Sequence, residues 1–267
     1  MSRLTGKRVL ITGASAGIGR AAVVAFVDAG ATVVALARTR ERLDELAATL
    51  PPGRVVSYAV DVTDAAAMEA MARAELSSAG APDVLIANAG IGLDASFVST
   101  SDDHLRRIFD VNVFGVFRTI RLFLPAMLAR GSGRVLVVSS SVGKRGVPNY
   151  SAYSASKFAL HGMADALRPE LIGTGVTLGL VCPSSTSTEF AERRLREGPP
   201  QVAVRVQKHS AESVARALVR MARWTRREMV LSPEAKLMNV IDWAAPGFLD
   251  WILAKVLIKK QKGDTPI

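Results

Sequence analysis

A doubly wound parallel α/β sheet, with helices on both faces and a short helical extension at its end, is the fold this sequence predicts. Three observations predict it. The 267 residues are 49% hydrophobic and 22% charged, the composition of a chain able to bury a large core. Short β-branched runs alternate with longer helical stretches, the pattern of βαβ units. Breakers fall between them, as at Gly30, Pro51-Pro52-Gly53 and Gly131-Ser132-Gly133.

In chain order the expected strands are Val9–Thr12, Thr32–Ala37, Val55–Ala59, Val84–Ala87, Val135–Ser139, Val176–Cys182 and Met229–Leu231. The helices expected between them are Gly17–Ala29, Arg40–Leu50, Ala65–Ala79, Asp102–Arg130, Tyr150–Gly173 and Ala211–Trp224. Pro125 and Pro169 fall inside two of these and should bend or end them, because each removes a backbone donor. Residues 1–232 are read as one domain and residues 233–267 as an apolar helical extension of it. A ligand crevice is expected beyond the carboxyl ends of the strands.

The single Cys182 excludes an internal disulfide, and with three scattered histidines it leaves no zinc ligand set. A reducing, cytoplasmic compartment is the expectation. Neither a signal-peptide core nor a 20-residue apolar span is apparent in the sequence. The net charge of +10 raises nucleic acid as a partner. However, the stretch Ala191 to Val230 alone holds ten Arg and Lys against four Glu, and no nucleic-acid module accompanies it. A solvated or substrate-gathering basic face is therefore preferred, with no nucleic acid bound.

The first chemical signal is Thr12-Gly13-Ala14-Ser15-Ala16-Gly17-Ile18-Gly19, a glycine-rich turn between a strand and a helix. Glycine lets the backbone approach a pyrophosphate, and the helix N-terminus stabilises its charge. Arg38 stands 21 residues after Gly17, where an acidic residue would accept from an NAD ribose. A guanidinium there suits the 2′-phosphate of NADP instead. Arg40 and Arg42 are expected to face water. Asp61 can accept from an adenine amino group, or it or Asp64 can serve a turn or an N-cap.

The second signal joins Ser139-Ser140-Ser141-Val142-Gly143 to Tyr153-Ser154-Ala155-Ser156-Lys157. Tyr153 and Lys157 lie four apart on one helix face, so the ammonium should pull the phenol pKa down and make Tyr153 a general acid for a carbonyl oxygen. Together with Asp61-Val62, Asn88-Ala89-Gly90 and Asn112, these motifs make the chain resemble the short-chain dehydrogenase/reductase family from about Leu4 to Leu231. Ser140 matches the family's serine because it lies 13 residues before Tyr153 and three before Gly143.

The resemblance implies a Rossmann-type fold and a catalytic set of Asn112, Ser140, Tyr153 and Lys157. Tyr153 would move the proton, Ser140 would hydrogen-bond the reacting oxygen, and Lys157 would bind the nicotinamide ribose while tuning Tyr153. Asn112 would hold a water linking Lys157 to solvent. Cofactor contacts would come from Gly13, Ser15, Ala16, Gly17, Ile18, Gly19, Arg38, Asp61, Val62, Asn88, Ala89, Gly90, Tyr153, Lys157, Pro183, Thr186 and Thr188. Ser139 and Ser141 would support the site or line the substrate.

The chain departs from the family's pattern after the sixth strand. The usual Pro-Gly is Pro183-Ser184 and the following Val or Ile is Thr186. Ser184 restricts a backbone position that glycine leaves free, so the nicotinamide-side loop should be shaped differently.

The resulting expectation is an NADP(H)-dependent oxidoreductase, without metal, acting on an apolar ketone, aldehyde or alcohol. An NAD-dependent alcohol dehydrogenase of the same fold is the nearest alternative, and a non-catalytic cofactor-binding scaffold is the alternative of another class. The residues from Phe190 to Val206, with Gly198-Pro199-Pro200, are expected to act as a mobile flap over substrate. From Asn239 to Ile258 the chain is rich in Trp, Phe, Leu and Ile, and lysines follow. This segment can lie in a membrane interface, cover the substrate mouth or pack on a second subunit. A homo-oligomer, with peripheral membrane contact as an option, completes the expectation.

Overall fold

The computed structural model describes residues 4–187, 190, 194–197 and 209–255. Seven strands form one sheet: β1 (Arg8–Thr12), β2 (Thr32–Ala37), β3 (Val55–Ala59), β4 (Val84–Ala87), β5 (Gly133–Val138), β6 (Val176–Cys182) and β7 (Glu228–Val230). Their spatial order is β7-β6-β5-β4-β1-β2-β3, and every pairing is parallel. The chain steps outward from β1 to β3 and then returns to β4 beside β1. Diverging connections leave a crevice there, beyond the carboxyl ends of the two strands.

Burial on both faces explains why the central strands are apolar over most of their length. Side chains alternate across a strand, so Val9 and Ile11 of β1 enter one core while Leu10 enters the other. The first core is closed by α1 (Gly17–Asp28), α2 (Arg40–Ala48) and α7 (Ala211–Arg223), through Phe26, Leu43 and Leu218 among others. The second is closed by α3 (Ala65–Ala79), α5 (Gly115–Arg130) and α6 (Ser151–Glu170), through Met68, Phe123 and Leu160. Asp64 and Ser210 cap α3 and α7 by accepting from the amides of Ala67 and Ser213.

The helix expected over Asp102–Arg130 forms as one run, but not a regular one. It comprises α4 (Asp102–Phe109), a wide turn of π-helix at Asp110–Phe114 and then α5. Of the two outcomes expected at Pro125, ending the helix does not occur. The lost donor is that for the Arg121 carbonyl, and both residues lie on the exposed face, where water can replace the bond. Pro169 does fall at the end of its helix, with α6 stopping at Glu170. By length and composition the run 102–130 could cross a membrane, which the sequence reading had not found. Its Val116, Ile120, Phe123 and Met127 face is packed on the sheet.

Two short parallel ladders lie outside the sheet: Leu93–Ala95 with Leu195–Glu197, and Thr186–Ser187 with His209–Ser210. Helices α8 (Pro233–Ala244) and α9 (Pro246–Leu253) end the described chain.

Candidate active site

The glycine-rich turn enters the crevice between β1 and β4. Gly13 and Gly17 have φ of +68° and +50°, a region side chains avoid. At Gly19 a Cβ would fall 2.0 Å from the Gly13 carbonyl oxygen, so the turn closes only with glycine. Thr12, which sequence reasoning did not single out, ties this turn to β4. Its hydroxyl accepts from the amides of Asn88 (3.0 Å) and Ala89 (3.1 Å), while Asn88 Nδ2 donates to the Thr12 carbonyl at 2.9 Å. Like α3 and α7, α1 begins after an extended residue, but that residue is Ala16 and no side chain caps its amides. Those amides open on a cleft of about 290 Å³. The glycine cradle and the uncapped helix fit the pyrophosphate of a dinucleotide.

The same cleft is lined by Gly13, Ser15, Ala16, Gly17, Ile18, Arg38, Asp61, Val62, Asn88, Ala89 and Gly90, and by Ser140, Tyr153, Lys157, Pro183, Ser184 and Thr186. Gly19 supports the turn without lining the cleft. Thr188 lies outside the described residues. Arg38 and Asp61 meet in an exposed ion pair at 3.8 Å. Asp61 Oδ1 also accepts from the amide and hydroxyl of Thr63 (both 2.9 Å), a turn role, and the N-cap role falls to Asp64. Arg40 is engaged with Asp44 (3.1 Å) and the Ser57 carbonyl (3.4 Å). Ser184 does not take a left-handed backbone, so the change from glycine imposes no strain there.

The catalytic candidates converge from three elements. Asn112 sits fully buried in the π-helical turn, an irregularity that often marks function. Its side chain clamps Ile91, accepting from the amide at 2.8 Å and donating to the carbonyl at 2.9 Å, and also donates to Ser156 Oγ at 3.0 Å. Gly90 lies between it and Lys157: a Cβ there would stand 3.2 Å from Asn112 Oδ1 and 3.6 Å from Lys157 Nζ. Ser140 begins a short 3₁₀ turn, contacts the Pro183 carbonyl at 3.5 Å and shares a side-chain hydrogen bond with Tyr153. Ser139 Oγ donates to the Lys157 carbonyl at 3.5 Å, and the Ser141 amide donates to Pro183 O at 2.9 Å, so both neighbours support rather than react.

Electrostatics here differ from expectation in one respect. Burial pushes the Tyr153 phenol up to about 12, and only the Ser140 hydrogen bond and then the nearby Arg194 act against it. Lys157 is not what lowers it, because its ammonium lies 5.9 Å over the ring and donates to the Val138 carbonyl at 3.1 Å. Burial brings Lys157 itself down to about 8.

The remaining wall was not legible in the sequence. Ile91, Val111, Phe190 and Leu195 give it an apolar surface, with Arg107 beside them. Arg194 Nη1 donates to the Tyr150 hydroxyl at 2.6 Å, and Asp94 stands near both. Burial raises both Tyr150 and Asp94, and Arg194 opposes both shifts. The only signal was the run of arginines at 193, 194 and 196, read as part of a flap. Of that flap, Leu195–Glu197 is paired to Leu93–Ala95, while residues 191–193 and 198–206 lie outside the described residues. Among the described residues no group of three or more His, Cys, Asp or Glu could hold a metal ion.

A family model for the short chain dehydrogenase matches residues 7–198, most of the chain and the whole of the cleft's sequence motifs. The chain belongs to the short-chain dehydrogenase/reductase family. Among curated relatives of this oxidoreductase, the ketoacyl reductase HetN of Nostoc sp. is 34% identical over 260 residues, covering 94% of this chain and 90% of its own. A family member from Burkholderia phymatum, solved in complex with NAD, superposes with a TM-score of 0.83 at 26% identity, covering 91% of this chain and 95% of its own. An alcohol dehydrogenase from Thermococcus sibiricus, solved with 5-hydroxy-NADP, gives 0.74 at 27% identity, covering 84% and 95%. The short-chain dehydrogenase/reductase fold thus holds either nicotinamide dinucleotide in these neighbours, and the family acts on small molecules.

Proposed function

We propose that this enzyme is an NADP(H)-dependent reductase of an apolar ketone or aldehyde, working reversibly on the alcohol. The observation that carries the reading is that Ser140, Tyr153 and buried Lys157 line the same cleft as the uncapped α1 and Arg38. The glycine turn and α1 amides would hold the pyrophosphate, Arg38 the 2′-phosphate, Asp61 and Val62 the adenine side, and Pro183, Thr186 and Thr188 the nicotinamide side. When bound, the nicotinamide supplies or takes the hydride.

Tyr153 serves as proton donor in reduction. A phenol that burial keeps protonated is an acid held ready, and Ser140 gives the growing oxyanion a second hydroxyl. Lys157 and Asn112 close the other side across Gly90, where the ammonium can meet the ribose hydroxyls. Ile91, Val111, Phe190 and Leu195 favour an apolar substrate. Phe114 at the end of the π-helical turn, Phe117 and Leu128 on α5 and Phe158 on α6 stand exposed and favour a homo-oligomer. We take residues 233–267 as an extension of the single domain and the enzyme as cytoplasmic, with peripheral membrane contact through that extension.

Arg38 tests the cofactor assignment. Wild type should show a higher kcat/KM with NADPH than with NADH, and Arg38→Asp should invert the order. Equal use of both by wild type would favour the NAD-dependent reading, in which Arg38 merely pairs with Asp61.

A further inference from the structure

The last two helices are fastened to the loop that follows Ser140, and that fastening decides what their outer faces present. Arg145 donates from Nη1 to Asp242 on α8 at 2.7 Å and from Nη2 to Asp250 on α9. These are the only acids between Ala235 and Lys255. One guanidinium thus pairs with both carboxylates, Glu234 in the first turn of α8 accepts from the Ser232 hydroxyl, and Lys236 and Lys255 are the cations of the helix pair. Helical geometry puts Asp242 roughly 160° around α8 from Val240, and Asp250 roughly 160° around α9 from Phe248.

The faces turned away from Arg145 are apolar and bare. On α8, Leu237, Val240 and Trp243 are 60%, 61% and 88% exposed. On α9, Phe248 and Trp251 stack at 6.0 Å and are both more than half exposed. Lys255 holds its ammonium 3.8 Å over the Trp251 ring. Only Ala235 and Leu249 of the pair are buried.

We infer that α8 and α9 form a docking surface for an anionic lipid bilayer, with Arg145 as the clamp that pairs with Asp242 and Asp250 on the side away from Val240 and Phe248. Tryptophan rings favour headgroup depth, and lysines at the rim of an apolar face meet anionic headgroups. In sequence, Val256-Leu257-Ile258 and then Lys259, Lys260 and Lys262 follow directly, extending the same apolar and basic pattern. The docking inference stands apart from the carbonyl chemistry. Only its consequence, that apolar substrate reaches the enzyme from the lipid side, rests on the proposed function.

Co-sedimentation of the full chain with phosphatidylcholine vesicles, with and without phosphatidylglycerol, tests it. Wild type should bind the phosphatidylglycerol vesicles preferentially and release as salt is raised. Trp243→Ser with Trp251→Ser should weaken binding roughly tenfold or more, and Lys255→Gln roughly fivefold. Arg145→Gln leaves two carboxylates unpaired and should weaken it too, and adding Asp242→Asn and Asp250→Asn should restore it. A rescue by these neutral residues is not expected from misfolding, which thermal melts of each variant would reveal separately. Equal binding to both vesicle types, or binding to neither, would overturn the inference. So would a Trp243 and Trp251 variant that dissociates an oligomer in sedimentation velocity without losing vesicle binding.

Discussion

The glycine-turn side of the cleft and its substrate wall are built by different means. On the first side the backbone does the shaping. Thr12 to Gly19 is one contiguous stretch whose positive φ angles and lack of side chains create the cradle, and Asn88 and Thr12 lock it to the neighbouring strand. On the second side, side chains from distant parts of the chain do it. Asp94, Tyr150 and Arg194 come together, Arg194 donating to Tyr150, although about 100 residues separate Asp94 from Arg194 in sequence. A contiguous backbone device leaves a motif that can be read without a structure. A wall assembled across the fold leaves almost none, and it is also the part that can vary while the cradle stays fixed.

Removing the proton donor is the sharpest way to separate the two sides. Tyr153→Phe should cut carbonyl reduction by roughly a thousandfold or more while NADPH still binds, because the ring is kept and only the acid is lost. Binding can be followed by fluorescence titration and turnover by absorbance. Near wild-type turnover would remove Tyr153 from the chemistry.

The cradle should fail in the opposite manner. In Gly19→Ala the new methyl would lie 2.0 Å from the Gly13 carbonyl oxygen, so the turn must open. We expect cofactor affinity to fall at least about tenfold and stability by about 2 kcal/mol, the scale of an overpacked interior site. A variant with unchanged Tm and cofactor Kd would mean that backbone shape is not what makes this side.

What could be read in advance follows the same division. All seven strands, with their boundaries within two residues, were visible in β-branched runs, because a sheet buried on both faces leaves little choice of residue. Tyr153 and Lys157 were legible from their spacing, Asn112 and Ser140 only through the family resemblance, and the fold brings the four together. Spacing does not carry depth, however. Tyr153 and Lys157 share a helix face as expected, yet burial overrides the assumed pull of the ammonium on the phenol and sends the two groups in opposite directions. Arg145 gave no signal either, since its partners Asp242 and Asp250 lie about 100 residues away.

Arg194 offers the finest test, because it joins the substrate wall to the acid. Its charge opposes the upward shift of Tyr153, Tyr150 and Asp94 alike. In Arg194→Met that charge and the 2.6 Å bond to Tyr150 are lost, so all three should hold their protons to higher pH. In the proposed mechanism alcohol oxidation draws on the Tyr153 phenolate, and its rise with pH should therefore move to higher pH in the variant. Carbonyl reduction requires the phenol, and below the titration it should keep its kcat within a few fold while KM rises about tenfold as the wall loosens. Comparing the pH profiles in the two directions separates these effects. An unshifted oxidation profile with a raised KM would leave Arg194 as packing alone, and an unshifted profile with unchanged KM would detach the wall from the chemistry altogether.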